Sequence, residues 1–227
     1  MRSACFPGIL AFVVCGTFSL AEEPGPGPAD SVLSKEEAAE GFVGLFDGQT
    51  LDGWQGAVDG YAAIDGRLVL KRDGGGFLFS RREYGDFILR LQYKLEPGGN
   101  NGIGIRAPLE SRPARAGMEI QILDDEHPSR KDLQPEQYCG SIYGAVPSRR
   151  GHVKPAGQWN SMEISARGSQ IRVTLNGAVV VDVDMDTVGP RKIHDIELAG
   201  LHNKRGHLAI CGHRDYVEFR KLRIKEL

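Results

Sequence analysis

Asp86-Phe87-Ile88-Leu89-Arg90-Leu91-Gln92-Tyr93-Lys94-Leu95-Glu96 alternates its side chains with a period of two along its whole length. Phe87, Leu89, Leu91, Tyr93 and Leu95 fall on one side, and Arg90, Gln92, Lys94 and Glu96 join Ile88 on the other. That is the pattern of a strand with one face on a core. The period recurs on both sides of this stretch. Ile171, Val173 and Leu175 alternate with Arg172, Thr174 and Asn176, and Asn176-Gly177 offers the positive φ of a tight hairpin turn into Val179, Val181 and Val183. Residues 67–71, 76–80, 160–166, 206–211 and 216–227 read as further short strands bounded by Gly, Asp or Asn. Many short strands with almost no helix predict a β-sandwich or barrel. The 30 glycines suit its turns and bulges. No repeat of the length of a propeller blade or solenoid turn is present.

The N-terminal part reads differently. Arg2, the apolar run from Ile9 to Val14 and the small residues around Ser19-Leu20-Ala21 have the form of a secretory signal at residues 1–21, cleaved near Ala21. Its apolar run is shorter than the roughly 20 residues that span a bilayer, and no later run approaches that length. The expected protein is therefore secreted or periplasmic, without a membrane span. Residues 22–33, rich in Pro and Gly, form a linker that cannot bury apolar surface. Ser34 followed by Glu37 fits a capping box for one short helix that stops at Gly41. Residues 34–227 are then one domain.

The formal charge of the chain is -2, and loss of the signal removes only the positive Arg2. Such a balance disfavours nucleic acid as a partner, because phosphate neutralisation needs a basic surface. No protein partner is indicated. Beyond the signal only Cys139 and Cys211 remain. They could pair in an oxidising compartment only with Cα atoms within roughly 7 Å, which the sequence does not establish.

Chemistry-bearing residues concentrate in two places. Residues 117–127 carry Glu119, Gln121, Asp124, Asp125, Glu126 and His127 along a strand and the loop that leaves it. On that strand Glu119, Gln121 and Leu123 share one face, and Met118, Ile120 and Ile122 the other. Just upstream, residues 98–106 supply Asn101 and Arg106, the latter a natural counter-charge for the carboxylates. Asp124 breaks the alternation and reaches a groove only if the strand bends or ends there. An ion pair between Arg106 and Glu119 on adjacent strands is the competing, purely structural reading. Asp124 to His127 match no metal-ligand spacing, so a solvated acidic turn is preferred over a site for Ca²⁺ or another divalent ion, and no cofactor is indicated. Trp54 and Trp159 read first as core residues, and His152, His194, His202 and His207 as surface or turn residues.

Taken in order, residues 41–54 (Gly-Phe-Val-Gly-Leu-Phe-Asp-Gly-Gln-Thr-Leu-Asp-Gly-Trp), Gly85-Asp86-Phe87, Asn100-Asn101-Gly102-Ile103 with Arg106, residues 117–124 and 140–144, Gln158-Trp159-Asn160, Leu175-Asn176-Gly177 and residues 217–227 resemble the 3-keto-disaccharide hydrolase family. The resemblance covers essentially the whole mature domain. It implies an all-β, two-sheet antiparallel jelly-roll sandwich of the concanavalin A-like lectin/glucanase type, with sugar lying on one concave sheet. Two departures stand out. Where many members carry Leu-Gln and then His-Gly, this chain has Ile210-Cys211 followed by Gly212-His213-Arg214, and the usual Phe-Arg-Asn reads Phe219-Arg220-Lys221.

Most glycosidases need two carboxylates roughly 5 to 9.5 Å apart. Retaining glucanases of this fold carry Glu-x-Asp-x-x-Glu on one strand, whereas Glu119-Ile120-Gln121-Ile122-Leu123-Asp124 replaces the middle acid by an amide and lacks the last Glu. The activity implied by the resemblance offers another route. A ketone at sugar C3 acidifies the C2 proton and sets the glycosidic oxygen β to the enolate, so a base can expel the leaving group before water adds. That needs a base (Glu119 or His127), a positive group at the C3 oxygen (Arg106 or Lys154) and an acid (Asp124 or His213). Asn101, Gln121 and Tyr143 would orient hydroxyls and Trp159 would stack on a sugar face. The expected function is thus cleavage of the glycosidic bond of 3-keto-disaccharides or 3-keto-glucosides, with a non-catalytic carbohydrate-binding module as the alternative.

Overall fold

The computed structural model describes Met1 and residues 33–227. The signal expected at 1–21, apart from Met1, and the linker at 22–33, apart from Leu33, lie outside the described residues. In chain order, helix α1 (Lys35–Ala39) is followed by β1 (Val43–Gly44), β2 (Trp54–Gly56), β3 (Tyr61–Ile64), β4 (Arg67–Leu70), β5 (Gly76–Tyr84), β6 (Phe87–Leu95) and β7 (Asn100–Ala107). Helix α2 (Pro113–Ala116) leads into β8 (Met118–Leu123). A long connection then reaches β9 (Asn160–Arg167), β10 (Gln170–Leu175) and β11 (Ala178–Asp184), followed by β12 (Lys192–Ile193), β13 (Ile196–Glu197), β14 (Gly206–Gly212) and β15 (Val217–Glu226).

These strands form two antiparallel sheets. The larger runs β11-β10-β9-β6-β15-β4-β3, with β1 also on β15, and the smaller runs β2-β5-β14-β7-β8. Both sheets interleave strands from the two ends of the chain, so β15 lies between β6 and β4, and β14 between β5 and β7. This is a jelly-roll sandwich, as expected. The β12-β13 hairpin stands apart from both sheets.

The alternation of residues 86–96 becomes β6, in which Phe87, Leu89, Leu91, Tyr93 and Leu95 are buried and the intervening residues half-buried. They meet Ile103, Ile105, Ile120, Ile122, Leu78 and Ile210 of the smaller sheet in one apolar cluster. Burial of side chains of this size contributes about 1.5–3 kcal/mol each before the entropy of ordering is counted. Asn176 (φ 50°) and Gly177 (φ 86°) make the predicted turn between β10 and β11. Ser34 Oγ accepts from the Glu37 N–H at 3.1 Å and caps α1. That helix buries nothing of its own and is tied down through Glu37, whose carboxylate takes Arg223 Nε at 2.9 Å and Arg90 Nη1 at 3.1 Å.

Trp54 is core, with its indole N–H donating to Leu45 O at 2.9 Å. Trp159 is not core. It is half-buried on the outer face of the larger sheet, its ring between the Lys94 ammonium and the Arg220 guanidinium. Cys139 and Cys211 are both buried and free. Among the described residues no helix is long and apolar enough to cross a membrane.

Candidate functional site

The core face of the smaller sheet takes the isoleucines of β7 and β8, so the other residues of these strands face outward. Register pairs Gly104 with Glu119, Gly102 with Gln121 and Asn100 with Leu123. These positions, with Phe77 of β5 and His213 just after β14, floor a hollow of about 270 Å³. Its walls are built from elsewhere: Arg112 and Arg115 at α2, Arg130 and Leu133 from the loop after β8, Gln137 and Tyr143 from the next loop, and Ile193, His194 and Ile196 from the β12-β13 hairpin.

Glu119 is only 5% exposed, yet it lines the hollow. Its side chain lies across Gly102 of the neighbouring strand, where an added Cβ would stand 2.6 Å from Glu119 Cγ and Cδ. Glycine is required there by the close approach and not by its backbone angle. Beyond Gly102 the carboxylate meets β14. Burial, and after it this carboxylate, raise the Cys211 thiol well above its ordinary range, so Cys211 stays a neutral thiol. His213 Nε2 stands 4.0 Å from Glu119 Oε1. Gln121 Nε2 donates to Asn100 Oδ1 at 3.1 Å, and Gln137 Nε2 to the Tyr143 hydroxyl at 3.3 Å.

The segment after the loop is locked to the exposed edge of β8. The Tyr143 N–H donates to Glu119 O at 2.8 Å, the Gln121 N–H to Ser141 O at 3.0 Å and the Gly140 N–H to Gln121 O at 2.8 Å. Pairing of this kind continues the sheet without a regular strand and fixes Tyr143 over the floor. Helix α2 is held from both sides. Pro113 packs on Gly104, and Gly200 approaches the Ala116 backbone so closely that any Cβ would collide with it.

The structure thus brings Glu119, Gln121, Tyr143 and His213 together. It places the other expected residues elsewhere. Arg106 is 1% exposed and does not meet Glu119. A bulge in β7 against β14 and a φ of 51° at Arg106 turn its side chain away from the face that Gly102 and Gly104 share. Its guanidinium donates to Gly85 O (3.0 Å), Gly168 O (2.7 Å), Asn203 O (3.2 Å) and Asp86 Oδ1 (3.1 Å). It fastens loops at one end of the sandwich, which corrects both of the roles expected for it. Asn101 shares the core side of β7 with Ile103 and Ile105 and is fully buried, with Oδ1 accepting from the Gly102 N–H and Nδ2 without a partner. Its neighbour Asn100 faces the hollow in its place.

Asp124 follows the last residue of β8 and accepts from the Gly98 N–H at 2.8 Å, bracing a turn outside the hollow. His127 Nδ1 meets Ser129 Oγ at 2.8 Å, and its ring packs against Gly98. It does not fold over the groove. Lys154 is exposed on the connection to β9, its N–H donating to Asn160 Oδ1 at 2.9 Å. Trp159 stands on the larger sheet, on the far side of the sandwich. His207 is buried, contrary to expectation, with Nδ1 2.8 Å from Ser80 O. Asp124, Asp125 and Glu126 diverge: Asp125 accepts from the Cys139 N–H at 2.9 Å, and Glu126 is exposed. Among the described residues no three His, Cys, Asp or Glu side chains converge as a metal site.

Arg112, Arg115, Arg130, His194 and Asn100 also line the hollow, and nothing in the alternation or clustering of the sequence had singled them out for it. Only Asn100 was within reach, because extending the alternation of Ile103 and Ile105 backwards puts Asn101 inside and Asn100 outside. The arginines come from loops whose path no periodicity foretells.

Residues 41–225 match the family described as the 3-keto-alpha-glucoside-1,2-lyase-like domain. The chain is 25% identical to the 3-keto-disaccharide hydrolase of Bacteroides thetaiotaomicron over 83% of its own length and 79% of that protein. A crystal structure from Parabacteroides distasonis, provisionally named a glycosyl hydrolase, superposes with a TM-score of 0.73 at 25% identity, covering 82% of this chain and 99% of the other. A carbohydrate-binding module from Bacillus subtilis shares the fold at a TM-score of 0.50 and 14% identity, over 77% of this chain and 96% of the module.

Proposed function

This chain belongs to the 3-keto-alpha-glucoside-1,2-lyase-like family, and from that premise we propose that it cleaves the glycosidic bond of 3-keto-disaccharides or 3-keto-glucosides by elimination followed by hydration. The observation that carries this reading is that Glu119 is the only carboxylate lining the hollow among the described residues, with His213 4.0 Å away. Acid–base hydrolysis by two carboxylates has no second carboxylate to use. Elimination needs one base and one acid.

Glu119 takes the proton from C2 of the 3-keto ring, and the C–H electrons form the enolate with its charge on the C3 oxygen. Re-formation of the ketone drives the glycosidic bond electrons onto the leaving oxygen, which takes a proton from His213. The products are a 1,2-unsaturated 3-keto sugar and the free alcohol. Water then adds across the double bond at C1, with its proton delivered to C2, and gives the 3-keto sugar. A proton passed from Glu119 to His213 restores the pair, so no redox partner is required.

Arg130 supports the enolate step. Its Nη2 donates to Gly98 O at 2.9 Å and its Nε is shut away from solvent, which leaves Nη1 to meet an oxyanion in the hollow. Asn100, Gln121 and Tyr143 orient ring hydroxyls. Phe77, Leu133 and Ile193 offer apolar surface to the sugar C–H groups.

The decisive experiment incubates the protein with 3-keto-trehalose or a 3-keto-glucoside in deuterated water and follows products by mass. Cleavage with deuterium at C2 is expected, and Glu119→Gln should lower kcat at least about a hundredfold. Cleavage without deuterium at C2 would rule out elimination, and binding without turnover would return the carbohydrate-binding alternative. Export through the leader read at residues 1–21 goes with this proposal. Recovery of a chain starting near Glu22 from periplasm or medium supports it, and an intact N-terminus at Met1 overturns it.

A further inference from the structure

The guanidiniums of the hollow outnumber what the proposed chemistry uses. One positive group beside the C3 oxygen suffices, and Arg130 provides it. Arg112 and Arg115 remain, three residues apart, the first capping and the second within the one-turn helix α2, and both line the hollow. Neither guanidinium makes an ion pair or hydrogen bond among the described residues. Elsewhere Arg90 and Arg223 meet Glu37, Arg67 meets Glu218 and Arg106 meets Asp86, and the other guanidiniums without a partner among the described residues, such as those of Arg81, Arg167, Arg191 and Arg214, belong to exposed residues. Arg115 is half-buried, so its unpaired charge is already partly taken from water. With Glu119 the only lining carboxylate, the hollow carries an excess of two positive charges from side chains other than histidine. The chain as a whole is at -2. A local field of that sign opposes the charge of the molecule and favours an anion.

Resting on the function proposed above, we infer that the preferred substrate is an acidic 3-keto-glycoside, whose leaving group carries a carboxylate or a phosphate or sulfate ester held by Arg112 and Arg115. The leaving group is the part concerned because the reacting ring must lie on the floor, over Glu119, whereas Arg112 is exposed at the rim. Two guanidiniums on one helical turn suit the planar oxygens of a carboxylate or the tripod of a phosphate, through charge-assisted hydrogen bonds.

The test compares kcat/KM for a 3-keto-disaccharide whose leaving sugar is glucose, glucuronate or glucose 6-phosphate. We expect at least a tenfold advantage for one or both acidic forms at low salt, shrinking as ionic strength rises towards about 1 M, where the screening length falls to about 3 Å. The double variant Arg112→Gln/Arg115→Gln should bring the acidic and neutral values together. Advantage for glucuronate alone or for the phosphate alone identifies the anion. Equal kcat/KM for neutral and acidic substrates in the unaltered protein overturns the inference. If no 3-keto-glycoside is cleaved, the proposed reaction fails, and calorimetric titration with glucuronate and glucose 6-phosphate against glucose still decides the present point. Tighter binding of an acidic sugar that the double variant loses supports it, and equal binding overturns it.

Discussion

Glu119 lies over the bare backbone of Gly102, and the two residues form one unit although they stand on different strands. A Cβ on Gly102 would stand 2.6 Å from the Glu119 Cδ, and the carboxylate could not keep its position beside Cys211 and His213. Gly102→Ala is therefore expected to lower kcat/KM at least about a hundredfold through displacement of the base. The overpacking should cost about 1–3 kcal/mol of stability. Steady-state kinetics with a 3-keto-glucoside, alongside urea unfolding, checks this, and a folded variant with normal turnover would remove the seat on Gly102 from the mechanism.

Arg106 predicts the opposite combination. Arg106→Met leaves Asp86, itself 40% exposed, and three backbone carbonyls without their donor, and a lost buried carbonyl partner costs about 1–3 kcal/mol. Turnover by the molecules that remain folded should change less than threefold. Unfolding midpoints, with activity normalised to folded protein, separate this from a catalytic role; loss of turnover at undiminished stability would restore one.

Acid should loosen the N-terminal helix. The Arg223 hydrogen bonds hold the Glu37 carboxyl below its usual range, more than burial raises it. A group with a depressed folded pKa contributes stability above its unfolded value, about 4.3, and loses that contribution as pH falls through the folded value. Glu37→Gln should thus cost about 1–3 kcal/mol at pH 7. The difference from the parent should vanish at acid pH, below the ordinary glutamate range. Unfolding curves at both pH values test the sign.

Asp125 carries the reverse sign. Burial pushes its carboxyl up to about 6, against the opposing Cys139 N–H and Arg150. Its contribution is fully present below the unfolded pKa, about 3.9, and is lost as pH rises through the folded value. Asp125→Asn keeps an oxygen for the Cys139 N–H and does not ionise. The variant should gain about 1–3 kcal/mol over the parent at pH 7.5 and nothing at pH 4. A parent protein whose stability does not fall between pH 4 and 7.5, relative to the variant, would contradict this assignment.

The sandwich was legible in Phe87 to Leu95, in Ile171 to Leu175 and in Asn176-Gly177, because a period of two and a left-handed turn are local properties. Glu119 and Gln121 were legible for the same reason, since β8 keeps its alternation. Arg106 was not. Simple parity puts it with Gly102 and Gly104, and one bulge residue reverses that parity without a signal in composition. Asp124 and His127 looked functional because polar residues cluster there, but each is spent on its own turn. Among the two departures from the family pattern, Cys211 proves to face Glu119, so a difference noted only as a sequence comparison lies against the proposed base.

The hollow draws its floor from paired strands and its walls from three separate connections. The Tyr143 segment is bonded to that ladder, but the side chains of Arg112, Arg115 and the β12-β13 hairpin take no part in it, so they can drift while the seat of Glu119 stays. Descendants of this scaffold can therefore trade one α2-like turn or one β12-β13 hairpin for another and change what they admit, while the proton-moving pair is inherited intact.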